Sequence, residues 1–272
     1  MKEAMRKHPV AVAVAGVVLG VTAVFIPLYS IVGMSVIRVL YGGVLLAVMG
    51  IMGAEESLKK VKQNFGISLR KAWYVIAFSF VLGALAGLLA LSQFGFPESF
   101  LAQGLAYLVL CLSVGLYEEA IFRGVMLHGL LRKMGGTRRG VVHAVLITSF
   151  CFGLIHVLAY LFGGSYDLPG IAQALGKIIS AGVMGFIMAA IYVRYHNFWA
   201  IVVIHALNDF LPMLSLIFIN GTVFTVGYVA EGMMGNALVL GYLIRTLLLL
   251  PAIITAIRLL KAVEVPEYGI FR

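Results

Sequence analysis

Residues 100–131 read FLAQGLAYLVLCLSVGLYEEAIFRGVMLHGLL, an apolar run interrupted by two adjacent carboxylates and an arginine. A helix crosses the hydrocarbon core of a bilayer with about 20 apolar residues. The run is longer than that, so it tilts strongly or projects beyond the membrane. Working outward from it, seven further runs of the same kind lie at 9–31, 34–53, 72–92, 140–163, 169–193, 198–219 and 236–261. The sequence therefore predicts an all-α, polytopic integral membrane helical bundle with about eight transmembrane helices. Residues 1–272 read as a single transmembrane domain, with neither an internal repeat nor a soluble domain interrupting it.

Composition agrees with lipid as the main solvent. Of the 272 residues, 62% are hydrophobic and only 11% charged, where a soluble domain carries about 25% charged residues. Mean hydropathy is +1.06. The net charge of +9 does not indicate nucleic acid, because the basic residues fall between apolar runs and form no basic domain. Cys111 and Cys151 both sit inside apolar runs and read as small buried hydrophobes rather than a disulfide. Lys2, Arg6 and Lys7 precede the first run, which is too long for a signal peptide and reads as a retained first helix.

Threading the runs from a cytoplasmic N-terminus sorts the charges. One side holds Lys2, Arg6 and Lys7; Lys59, Lys60, Lys62, Arg70 and Lys71; Arg132, Lys133, Arg138 and Arg139; Arg194; and Arg258, Lys261 and Arg272. The opposite loops, 93–99, 164–168 and 220–235, hold Glu98, Asp167 and Glu231 and neither Lys nor Arg. Lys and Arg are retained on the cytoplasmic side, so both termini are expected there. Leu58, Val61 and Phe65 recur at i, i+3, i+7 among lysines, which suits either a short helix on the inner leaflet or a solvated loop. Gly16-x-x-x-Gly20 and Gly83-x-x-x-Gly87 permit close helix packing.

Ionisable groups at the centre of a membrane helix cost about 2.5–3.5 kcal/mol each and are functional candidates by default. Three clusters stand out. In the fourth run, Glu119 and Arg123 lie four apart on one helix face in the favourable acid-before-base order. Glu118 points about 100° away, which leaves it free for proton chemistry. The fifth run carries His156, which alone reads equally as a packed, hydrogen-bonded residue. In the seventh, His205, Asn208 and Asp209 are spaced to share one face. Buried charges must find partners, and the cheapest arrangement turns all three helices toward one polar cavity. Lys177 and Arg245 also fall inside spans, with an ion pair or snorkelling as the default reading.

Glu-Glu-x-x-x-Arg, then Phe-x-x-x-His, then His-x-x-x-Asx, in that order on separate helices, resembles the CAAX protease and bacteriocin-processing family, which includes the Ras-converting type of CAAX prenyl endopeptidase. The resemblance covers a catalytic core of about 100–220. It implies an intramembrane endopeptidase in which Glu118 and His156 activate a water, His205 and Asp209 stabilise the oxyanion, and Glu119 and Arg123 orient the site. The implied partner is a membrane-bound protein or lipidated peptide, with prenylated CAAX tails the family example.

One position departs from the family pattern. Where the family often has Asn, Asp209 cannot donate a hydrogen bond when ionised. Asp209 is then protonated, or orients His205, or leaves the donor role to Asn208; orientation of His205 is the preferred reading. The expected mechanism uses no cofactor. A zinc site built from Glu118, His156 and His205 is the alternative, although His-Glu-x-x-His is absent. Two other functions use the same buried residues: a proton-coupled transporter, and a non-catalytic membrane protein of the bacteriocin-immunity type.

Overall fold

The computed structural model describes residues 7–22, 26, 30–163, 166–219 and 232–265. Among them every regular element is a helix, the only open-ended structure that satisfies its own backbone in lipid. In chain order these are α1 (Pro9–Thr22), α2 (Ile31–Met49, running on through a wide turn at Gly50–Ala54 into Glu55–Lys59), α3 (Phe65–Lys71), α4 (Trp73–Phe94) and α5 (Phe100–Met134). They are followed by α6 (Arg138–Ile155), α7 (Leu158–Gly163), α8 (Leu168–Tyr195), α9 (Phe198–Phe210, continued as a 3₁₀ segment Leu211–Phe218), α10 (Gly232–Leu248) and α11 (Leu250–Lys261).

Six of these helices are long and apolar enough to cross a membrane, and α10 with α11 supplies a seventh, bent by 48°. Pro251 in the first turn of α11 explains the bend, since proline cannot continue the preceding helix. The first predicted run appears as α1, a shorter apolar helix of 14 residues, and the run's residues 23–25 and 27–29 lie outside the described ones. The molecule is an integral membrane protein with the architecture of about eight spans. Its outward faces carry exposed Val14, Val18, Leu85, Leu88, Leu101, Phe150, Leu175 and Leu247, a surface that only lipid makes favourable.

One element differs from the pattern in the sequence, and one reading left open there is decided. The fifth run, read as continuous over 140–163, breaks after Ile155: His156 and Val157 form a turn and α7 starts at Leu158. Of the two readings of Leu58–Phe65, the loop applies. The chain turns between Lys60 and Asn64, and Asn64 adopts the left-handed conformation (φ 62).

α8 is the centre of the bundle and packs against α6, α10 and α11, while α5 packs against α2 and α9. The glycine pairs sit at helix contacts, as their spacing suggests. Gly16 and Gly20 face Val125 and Ile121 of α5, and Gly83 lets α4 come so close to α9 that a Cβ there would fall on the Leu211 carbonyl. At the other end of α9, Asn197 caps the helix through Ala200 N–H (2.8 Å). Its amide group also donates to the carbonyls of Lys60, Val61 and Gln63. Asn64 returns a bond to the Tyr195 carbonyl (3.0 Å), and the Trp199 indole N–H donates to Leu58 (2.8 Å). The 58–64 turn is thus tied to the α8–α9 corner, which fixes where α9 enters the bundle.

His196 lies at that corner in the left-handed conformation (φ 54). Burial, with Lys60 and Arg194 nearby, pushes its pKa from 6.5 down to about 4. The unfolded chain takes up this proton before the folded one, so the contribution is complete above pH 6.5 and is lost as pH falls toward 4. Asparagine tolerates the left-handed backbone and does not titrate. Between pH 7 and pH 5 the melting temperature of the detergent-solubilised wild type should therefore fall further than that of His196→Asn; equal shifts would assign the acid sensitivity to other groups.

Candidate active site

α5 carries the two carboxylates to the point where its winding changes. Phe100–Glu119 is α-helical and Ala120–Leu127 is π-wound, a departure that is frequent at functional sites. Glu119 is fully buried. Its Oε1 accepts from Arg123 Nη1 at 3.0 Å and lies 2.6 Å from His205 Nδ1. A carboxylate paired with a guanidinium can only accept, so His205 Nδ1 bears the hydrogen. Arg123 also donates through Nη2 to the Gly185 carbonyl (3.0 Å), and its guanidinium lies 4.8 Å over the Phe152 ring. His205 reaches Glu119 because α5 and α9 touch at Gly115, where a Cβ would press on the Val202 carbonyl at 2.8 Å.

His156 closes α6, and the last turn of that helix sets its ring. The His156 N–H bonds to Gly153 O (3.3 Å) in 3₁₀ fashion, so the Phe152 carbonyl is available to the side chain, and His156 Nδ1 lies 2.7 Å from it. Nδ1 therefore carries the hydrogen, and Nε2 of the neutral ring is an acceptor. That Nε2 stands 3.8 Å from Glu118 Oε2, which is buried without a hydrogen-bond partner and is 3.7 Å from His205 Nε2. Glu118 is 18% exposed where Glu119 is 0%, so the neighbouring acids occupy different environments.

Asp209 Oδ2 lies 3.4 Å from His205 Nε2. The three residues of α9 do not all face Glu118, however. Asn208 Oδ1 accepts from Ser79 Oγ of α4 (3.3 Å) and Arg245 Nη2 of α10 (3.2 Å), and its Nδ2 donates to Asp209 Oδ1 (3.2 Å). Lys177 of α8 sits 5.9 Å from the Tyr242 ring centre and is close enough to Asp209 to act on its charge, as is Arg245. Among the described residues no three His, Cys, Asp or Glu side chains are grouped as ligands for a metal ion.

Three contributors escape a sequence reading. Phe152 is a common wall, its ring 4.9 Å from that of His156, 5.7 Å from His205 and 5.1 Å from Phe122; the Phe-x-x-x-His spacing names the residue but not this role. Ser79 and the Gly185 carbonyl have no sequence signal.

Removing one partner of a buried, hydrogen-bonded pair costs roughly 3–5 kcal/mol. Glu119→Gln should accordingly melt several degrees below Glu118→Gln in the same detergent, and a reversed order would refute the assignment of Glu119 as the buried anchor.

No curated protein and no solved structure matches the chain. Residues 100–211, which contain all of Glu118, Glu119, Arg123, His156, His205, Asn208 and Asp209, match the family described as type II CAAX prenyl endopeptidase Rce1-like.

Proposed function

We propose that the protein is an intramembrane endopeptidase that hydrolyses a peptide bond of a membrane-associated substrate, of which a prenylated CAAX tail is the leading class. The observation that carries the reading is the pair of facing acceptors, Glu118 Oε2 and His156 Nε2, 3.8 Å apart. Two acceptors cannot bond to each other, but a water donating one hydrogen to each joins them. The family match over residues 100–211 supports the endopeptidase assignment.

In this mechanism Glu118 takes a proton from the water as its oxygen attacks the scissile carbonyl carbon. The carbonyl π pair moves onto oxygen, and the oxyanion is stabilised by His205. Its ring is held by Glu119 at Nδ1, and in this mechanism Nε2, which faces Glu118 and Asp209, carries the hydrogen donated to the oxyanion. Collapse of the tetrahedral intermediate breaks the C–N bond, and the leaving amine takes the proton from Glu118. Asp209 orients His205 and supplies no donor of its own. Catalysis is assigned to Glu118 without a metal cofactor.

The whole chain acts as one membrane domain around a core of about 100–220. The positive-inside distribution supports cytoplasmic termini, so a lipidated tail lying in the inner leaflet reaches the site sideways between helices. In host cells with equal amounts of folded protein, mass spectrometry of membrane-protein fragments should show specific cleavage products with wild type that vanish with Glu118→Gln. Those products should persist with purified protein after exhaustive chelation. Identical fragment sets from wild type and variant would sink the protease reading, and loss of cleavage on chelation would replace the glutamate mechanism with a metal-assisted one.

A further inference from the structure

α2 places a cation against the catalytic helix. Its buried positions Ser35, Gly42, Leu45 and Met49 form a stripe at three- and four-residue spacing, and Arg38 falls in that stripe, three residues after Ser35 and four before Gly42. The stripe packs on α5: a Cβ on Gly42 would lie 3.2 Å from the Leu116 side chain and 3.5 Å from the Tyr117 Cα. Arg38 Nη1 is buried and has no hydrogen-bond partner. The guanidinium is near enough to Cys111, Tyr117 and Glu118 to act on each electrostatically. A guanidinium inside a membrane helix normally ends in an ion pair or at the interface, yet among the described residues no carboxylate lies within ion-pair distance of this one.

We infer that Arg38 binds the free C-terminal carboxylate of the substrate tail, an inference that rests on the endopeptidase reading above. Length supports it. A CAAX tail has three residues beyond its lipid-bearing cysteine, and three extended residues span roughly 10 Å. Gly42 packs at the level of Leu116 and Tyr117 and Met49 at that of Gly124, so α2 runs alongside α5 in the same direction, and Arg38, four residues before Gly42, lies about 6 Å further along the axis on the Cys111 side. With the scissile bond at Glu118, the terminal carboxylate comes to the level of Arg38, and the planar guanidinium offers the paired donors that a carboxylate accepts. Arg38 lies outside residues 100–211, so this specificity element belongs to α2 and not to the family-matched segment.

The test uses full-length protein and a farnesylated peptide ending in Cys-Val-Ile-Met, prepared as the free acid and as the C-terminal amide. Wild type should cleave the acid with a kcat/KM about 20-fold or more above the amide. In Arg38→Gln the ratio should collapse to within about threefold of one, and Arg38→Lys should keep an intermediate preference. A wild type indifferent to amidation, or an Arg38→Gln variant that loses the same factor on both peptides, overturns the proposal; the second result would show Arg38 acting on Glu118 instead. Binding of the two peptides to the Glu118→Gln protein separates recognition from chemistry. Acid-selective binding that disappears in Glu118→Gln/Arg38→Gln upholds the subsite, and unselective binding overturns it. Cleavage of both peptides that survives Glu118→Gln, by contrast, strikes the endopeptidase mechanism and not the subsite.

Discussion

A carboxylate withdrawn completely from water must share its charge, and Glu119 shares it with two partners from different directions. Arg123 meets it along α5, and His205 meets it from α9. Through Arg123 the same charge is tied to α8 at the Gly185 carbonyl and to α6 at the Phe152 ring. Four helices therefore depend on one buried acid for their relative positions. Apolar residues of equal volume often stabilise a fold as well as a buried ion pair does, so the value of this network lies in geometry. It turns the His205 ring so that Nε2, and not Nδ1, faces Glu118 and Asp209.

Adjacent acids on a helix point about 100° apart, and here the rotation gives the two carboxylates different surroundings. Glu119 turns into the ion-pair network; Glu118 turns into a partly accessible space between His156 and His205. The backbone contributes as much as the side chains. Because the last turn of α6 tightens, the Phe152 carbonyl gives up its usual helical partner and takes the His156 ring instead. That single exchange sets the tautomer and leaves a ring nitrogen opposite a carboxylate oxygen, the arrangement that the endopeptidase reading uses to hold a water. The π-wound stretch that begins at Ala120 then carries Arg123 and the remainder of α5 onward from this point.

Much of this was legible because membrane helices obey simple periodicities. The apolar runs gave the spans, and i, i+4 spacing gave both the Glu119–Arg123 pair and the proximity of His205 to Asp209. Where the reading failed or stayed open, the cause was tertiary. The break after Ile155 is hidden because Val157–Phe162 is as apolar as the helix before it. The 58–64 turn is held by Asn197 and Trp199, more than 130 residues away in sequence. Helical spacing allowed Asn208 to share the face of His205, yet its amide turns to Ser79 and Arg245, partners contributed by other helices that spacing along α9 cannot reveal.

The acid at position 209 shows how a changed charge reorganises its neighbours. An asparagine there has an N–H to offer an oxyanion, whereas a carboxylate repels one. Cations attend Asp209 within the membrane: Arg245 donates to Asn208, Asn208 donates to Asp209, and Lys177 acts on the same carboxylate from α8. The carboxylate oxygen of Asp209 lies 3.4 Å from His205 Nε2, where it offers that nitrogen an acceptor rather than offering a substrate a donor. On the endopeptidase reading, the donor that the amide would have provided moves one helical turn back, to an imidazolium fixed between two carboxylates. Oxyanion stabilisation is then assigned to a full positive charge, for which the membrane interior supplies little competing solvation.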